Sequence, residues 1–218
     1  MIARGQHGRN FDALKGLRPR VEFRRHRVDI DLAQRNVRVR RGSDQFMAAY
    51  NRHIPAAPAE ALPAVVFDDR LELHLGAETI DLRHAPNAHT DGDTIVRIER
   101  ANVIHMGDIF FNGIWPFIDR GSGGDSRGLI RAVDMALAMA DARTVVVPGH
   151  GPIATRDDLR RYRDMLVDVS GRVQAQLGAG KSLAEVVASK PAAAYREGMV
   201  GDEDRFVGAI YDSLKPAR

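Results

Sequence analysis

The sequence predicts a layered α/β domain. Three features carry that expectation: short alternating apolar runs across residues 65–106, helix and strand patterns alternating after residue 126, and apolar stripes at helical spacing towards the C-terminus. The 218 residues, 44% hydrophobic and 28% charged, have a globular composition. This length suits one domain, or one and a half, at roughly 100–200 residues each. The absence of cysteine excludes disulfides, thiolate zinc sites and a cysteine nucleophile. No apolar run approaches the roughly 18 residues that span a bilayer. No charged-then-apolar leader opens the sequence, so the expected location is cytoplasmic, unless a fuller N-terminus directs export.

The elements follow in order. Val28, Ile30 and Leu32 alternate with Asp29 and Asp31, which predicts a short strand. Ser43 is placed to cap a short helix over 45–50, and a linker with Pro55, Pro58 and Pro63 follows. Val65, Val66 and Phe67 form an apolar run. Residues 71–75 and 79–82 alternate around Gly76 and predict a half-buried hairpin. Strands over 94–98 and 102–106 flank the turn at 99–101. An aromatic, Gly-rich loop covers 109–124. Asp125 caps a predicted helix over 126–140, and residues 144–147 read as a strand ended by Pro148 and Gly149. Thr155 and Asp158 have capping-box spacing ahead of the stripe Leu159, Tyr162, Leu166, Val169, Val173 and Leu177. Ser182 and Glu185 repeat that pattern. A last helix over 203–214 carries Val207, Ile210, Tyr211 and Leu214 on one side.

Charge is unevenly spread. Residues 1–41 hold twelve Arg/Lys against four Asp/Glu, +8; the remainder holds twenty against twenty-five, −5. Such a basic head suits a solvated, poorly ordered arm, or contact with nucleic acid or an anionic surface.

Three polar residues close predicted strands in loops containing Gly or Pro: His89, Asp108 in Met106-Gly107-Asp108, and His150 in Pro148-Gly149-His150-Gly151-Pro152. Two imidazoles and a carboxylate suit a borderline divalent metal such as zinc or iron. Taken singly, each is more often turn chemistry. Asp91 and Asp93 are placed to orient His89 through its second ring nitrogen. His84 and His105 stand near these residues, as outer donors or ligands or, the favoured reading, as strand-end or half-buried histidines. Phe110, Phe111, Trp115 and Phe117 either line a substrate pocket or pack under the sheet. No Gly-x-Ser-x-Gly elbow or phosphate-binding glycine loop is present.

The runs Ala88-His89-Thr90-Asp91-Gly92-Asp93, Ile104-His105-Met106-Gly107-Asp108 and Pro148-Gly149-His150-Gly151-Pro152 resemble, in order and spacing, the last three metal motifs of the metallo-β-lactamase-fold hydrolases. The resemblance covers roughly residues 36–167. The tract from Phe110 to Gly124 resembles a periplasmic-type zinc hydrolase subgroup. The resemblance implies an αβ/βα sandwich with two zinc ions. His89 would be a ligand of the first, His150 of the second, and Asp108 would bridge both. The implied activity is hydrolysis of a small-molecule ester, thioester, amide or lactam by metal-bound hydroxide.

The sequence departs from the family at its main motif, His-x-His-x-Asp-His, which supplies two ligands to each zinc. No His-x-His pair occurs; His7, His26 and His53 stand alone. The expectation is therefore a partial metallo-β-lactamase-like sandwich: a basic head over 1–35 and an α/β domain over 36–218, with the first half of the sandwich missing or replaced. Three accounts of the head stand open: an altered start or reading frame, a repurposed arm, or a half supplied by a partner chain. One weakly bound zinc or none, and impaired hydrolysis, are expected. An open sheet face would favour homo-oligomers. The alternative is a non-catalytic, oligomerising protein whose basic arm contacts nucleic acid or anionic surfaces, with nucleic acid the less favoured partner.

Overall fold

From residue 65 onwards the local signals reappear as elements of the computed structural model, which describes residues 20–23, 26–29, 32–34, 41–47 and 51–215. The expectation of a poorly ordered head falls largely outside the described residues. Within that stretch, β1 (Arg20–Phe23) pairs antiparallel with β2 (His26–Asp29), and β3 (Leu32–Gln34) pairs parallel with β6 (Val65–Phe67).

The expected helix at 45–50 is corrected in its described part. Residues Gln45–Met47 form a strand, β4, against β5 (Arg52–Ile54), with Phe46 opposite His53. Asn51, just before β5, has φ 46°. Over so few residues helix and strand patterns are hardly separable, and pairing with β5 decides for the strand.

A six-stranded sheet forms the body. Its strands are β7 (Arg70–Leu75), β8 (Glu78–Ala85), β9 (Asp93–Ile98), β10 (Val103–Phe111), β11 (Val145–His150) and β12 (Ala154–Thr155), in the order β12-β11-β10-β9-β8-β7. All neighbours are antiparallel except β10 and β11. A parallel pair needs a crossover, and α1 (Ser126–Met139) supplies it. Asp125 caps α1 by accepting from the Arg127 N–H, as its position predicts.

Helices α1, α2 (Arg156–Gly178), α3 (Leu183–Ala188) and α4 (Glu203–Leu214) complete the layer. Both capping boxes, Thr155 with Asp158 and Ser182 with Glu185, are formed. The core lies between this layer and one sheet face. Ile95, Ile104, Met106 and Val146 meet Leu129, Val133, Leu159, Leu166, Val169, Phe206 and Ile210, all buried. The opposite face carries the cross-strand row Leu71, Leu82, Val96, His105 and Val147, with β3 lying against β9. Among the described residues, no helix is long and apolar enough to cross a membrane.

Candidate functional site

The site gathers from the loop after β8, the interior of β10 and the end of β11; Asp108, expected just past a strand, lies inside β10, which runs on to Phe111. The loop between β8 and β9 is tied down by its own polar groups. The Thr90 N–H donates to the Asp93 carboxylate at 2.7 Å, and the Thr90 hydroxyl adds a second bond at 3.1 Å. His84 Nε2 donates to the Asp91 carbonyl at 2.7 Å. The Asp119 N–H donates to the His89 carbonyl at 2.9 Å, which fixes the backbone of His89 from across the site. Burial pushes the Asp93 carboxyl above the ordinary carboxylate range, against the pull of Thr90 and of nearby His89.

Asp108 is aimed by an irregularity. The register of β10 against β11 shifts between His105 and Gly107 and again between Gly107 and Phe111. Gly107 adopts φ +52°, which lets the strand bend there. The His105 ring braces the bend, its Nδ1 accepting from the Gly107 N–H at 3.3 Å. Burial lowers the basicity of His105, which suits that acceptor role. Across the strand pair, Gly149 leaves the space the carboxylate needs; a Cβ there would stand 2.3 Å from Asp108 Oδ1. His150 follows at the end of β11, and its carbonyl accepts from the Asn112 N–H at 2.9 Å.

These three residues meet through Asp108. His89 Nε2 lies 3.6 Å from Asp108 Oδ2, and His150 Nε2 lies 3.3 Å from Asp108 Oδ1. One carboxylate thus turns each oxygen to a different imidazole. The His89 side chain is 12% exposed, Asp108 41% and His150 49%, so the cluster opens to solvent on the His150 side.

The second nitrogen of His89 is engaged by the Phe117 carbonyl at 2.7 Å, rather than by Asp91 or Asp93. Asp93 is spent on Thr90, while Asp91 accepts from Asn87 Nδ2 at 3.3 Å. A carbonyl only accepts, so His89 carries a proton on Nδ1 and, when neutral, presents a bare Nε2 to Asp108. Acceptor then faces acceptor, an arrangement that a cation between them relieves.

The tract expected as one aromatic loop divides: Phe110 and Phe111 belong to β10, Trp115 and Phe117 to the loop after it. Phe110 is buried against Tyr162, with ring centroids 4.8 Å apart, and Trp115 is buried on Phe206 at 5.6 Å. Phe111 stacks on His150 at 5.0 Å and 13°, while Phe117 stands edge-on to His89 at 5.4 Å. Two of the four rings therefore serve the core and two flank the imidazoles. Sequence reasoning misses the Phe117 carbonyl, because a backbone acceptor leaves no residue-type signal. The role of Gly149 was hinted at only by its place beside His150.

In donor type and aim the trio fits a borderline divalent metal. In number it falls short of a preformed shell: among the described residues no group of three or more His, Asp or Glu side chains is placed to hold an ion. The donors touch in pairs through Asp108 and do not surround a common point.

Comparison with known proteins agrees with the fold. The chain belongs to the metallo-beta-lactamase superfamily, whose sequence profile matches residues 16–150. The match thus begins inside the basic head, ahead of the residue 36 boundary expected from the motifs. An uncharacterised protein of Mycobacterium tuberculosis is 31% identical over 104 residues, covering 45% of this chain and 46% of the relative. One from Mycobacterium leprae is 33% identical over 96 residues, covering 44% and 43%. The chain thus spans under half the length of the curated relatives it matches.

Among solved structures, the stereoselective inverting sec-alkylsulfatase Pisa1 from Pseudomonas sp. is similar at TM-score 0.55 and 16% identity, over 73% of this chain and 27% of that one. BLEG-1 B3 metallo-beta-lactamase is similar at 0.50 and 21%, over 62% and 64%. At these identities the likeness concerns the fold.

Proposed function

We propose that this chain carries part of the metal centre of a zinc-dependent hydrolase acting on an ester, thioester, amide or lactam, with His89, Asp108 and His150 as its ligands. The observation that supports this most is the aim of both imidazole Nε2 atoms at opposite oxygens of Asp108, with the His89 nitrogen held bare by the Phe117 carbonyl. The chemistry such a metal supplies is activation of water at a pKa of about 7 and polarisation of the acceptor oxygen. The chain's own contribution is orientation. Phe117 fixes the His89 tautomer, the irregularity at Gly107 sets the Asp108 carboxylate, and Phe111 stacks on the His150 ring. Phe111 and Phe117 also screen one side of the cluster from water.

The reading includes impaired activity. The sequence holds no His-x-His-x-Asp-His motif. A complete structural zinc site is worth about 10–16 kcal/mol of binding free energy, and three donors short of a preformed shell forfeit much of it. The test is metal content after dialysis, measured beside turnover of a lactam and a thioester. One weakly held zinc or none, with turnover near background, is expected. His150→Ala should weaken zinc uptake further. Two tightly held zinc ions and robust, chelator-sensitive turnover would overturn the impairment. Zinc uptake unchanged by both His89→Ala and His150→Ala would remove the ligand assignment.

A further inference from the structure

We infer that Arg205 is a positioning residue for His89, acting through Phe117. Its guanidinium carbon lies 3.9 Å from the centroid of the Phe117 ring. That ring stands edge-on to the His89 imidazole at 5.4 Å and 65°. The carbonyl of the same residue accepts the His89 Nδ1 proton at 2.7 Å. One contact thus runs from the first turn of α4 to Phe117, and two more, through its ring and its carbonyl, from Phe117 to the imidazole.

Phe117 lies in a stretch of irregular backbone, where a side-chain contact adds to the backbone anchors. Residues 115–119 belong to no helix or strand, so no backbone ladder fixes the direction of the Phe117 carbonyl. The segment is pinned at one side by the bridge of Ile114 to Val200, with Trp115 N–H donating to the Val200 carbonyl at 2.9 Å. At the other side the Asp119 N–H donates to the His89 carbonyl at 2.9 Å, and between these anchors two consecutive residues of α4 cover the aromatic side chains. Phe206 stacks on Trp115 at 5.6 Å, and Arg205 covers Phe117. Arg205 is itself well placed, because its backbone N–H donates to the capping carboxylate of Asp202 at 2.9 Å. The C-terminal helix thereby helps to place the carbonyl that fixes the tautomer of a residue more than a hundred positions earlier.

The consequence for metal binding rests on the proposed function; the positioning itself does not. An imidazole that loses its fixed carbonyl can carry its proton on either nitrogen, and a proton on Nε2 blocks that atom as a ligand.

The experiment reads the tautomer directly in the metal-free 218-residue chain, by long-range proton–nitrogen NMR of the histidine rings in mildly alkaline buffer. Wild type should show His89 with the proton on Nδ1 and a bare Nε2. Arg205→Met keeps much of the stem and removes the charge. It should lower the Nδ1-H to Nε2-H ratio of His89 about two- to fivefold, the range that an exposed cation–π contact corresponds to. Arg205→Lys should restore most of the ratio. The His84 signals, which report the neighbouring loop, should stay put in both variants. An unchanged His89 ratio in Arg205→Met overturns the inference. So does a change shared by every histidine, or one that lysine fails to restore. Zinc titration of wild type separates the two readings. A His89 Nε2 signal blind to zinc would remove the ligand assignment and leave the positioning role standing.

Discussion

The two ends of the sheet are built on different rules. From β7 to β9 the strands pair residue for residue without a break, Leu71 with Leu82 and Leu82 with Val96. From β10 to β11 the register slips twice within nine residues. The regular end uses its side chains to hold strands together. Arg70 lies opposite Arg83 and Glu72 opposite Asp81, pairings that would repel. One diagonal and one same-strand contact reverse the sign: Asp81 accepts from Arg70 Nε at 2.7 Å across the pair and from Arg83 Nε at 2.8 Å along β8. The irregular end instead removes side chains, at Gly107 and Gly149, and uses the space to aim one carboxylate. A uniform ladder points alternate residues to alternate faces, and convergence of three strand ends needs that uniformity broken.

The comparison can be broken most severely at Gly149. Gly149→Ala puts a methyl 2.3 Å from Asp108 Oδ1 and 2.6 Å from the Gly107 backbone, so strand or carboxylate must move. A loss of about 3 kcal/mol is expected in denaturant unfolding, with displaced His89 and His150 ring signals. Wild-type stability would show that the irregular end yields more easily than its contacts imply.

At the regular end, Asp81 is 2% exposed. Burial pushes its carboxyl up, and the hydrogen bonds and charges of Arg70 and Arg83 outweigh that, leaving it below the ordinary value. A depressed folded pKa contributes stability that is present above the unfolded value of about 3.9 and is lost as pH falls through the folded one. Asp81→Asn should cost about 2 kcal/mol at neutral pH and flatten the acid limb of the stability profile, while the site's ring signals stay unchanged. An acid limb identical to wild type would show that the network carries no net stability.

The smallest effect calibrates both. Gly171 lies inside α2 with open space where a Cβ would go. Gly171→Ala should raise stability by about 0.5–1 kcal/mol, because glycine loses more backbone freedom in a helix than alanine does. A loss instead would mean that α2 depends on contacts its exposed face does not show.

Much of the fold was legible. The β7–β8 hairpin, both capping boxes and the stripe of α2 depend on residues within a few positions of one another. The three strand-end residues also stood out, each beside Gly or Pro in a turn. The strand at 45–47 did not, since helix and strand patterns are hardly separable over so few residues, and pairing with β5 decided between them. Nor did the division of the aromatic loop. Phe110 and Phe111 are adjacent, yet one meets Tyr162 from α2 and the other His150 from β11. Alternation along β10 says that they point to opposite sides but not which side holds the core.

The sequence by itself therefore determined the caps, the helical stripes, the hairpin and the residue types offered at the strand ends. Those features rest on hydrogen bonds and periodicities that close within one or two turns of chain. Only the tertiary structure decided the tautomer of His89, the aim of Asp108 and the separation of core rings from site rings. Each depends on a partner 28 or more positions away, such as the Phe117 carbonyl, Gly149 or the first turn of α4. A backbone carbonyl and a missing side chain carry no residue-type signature of such a role. They act only once packing has brought them within about 3 Å of the group they constrain.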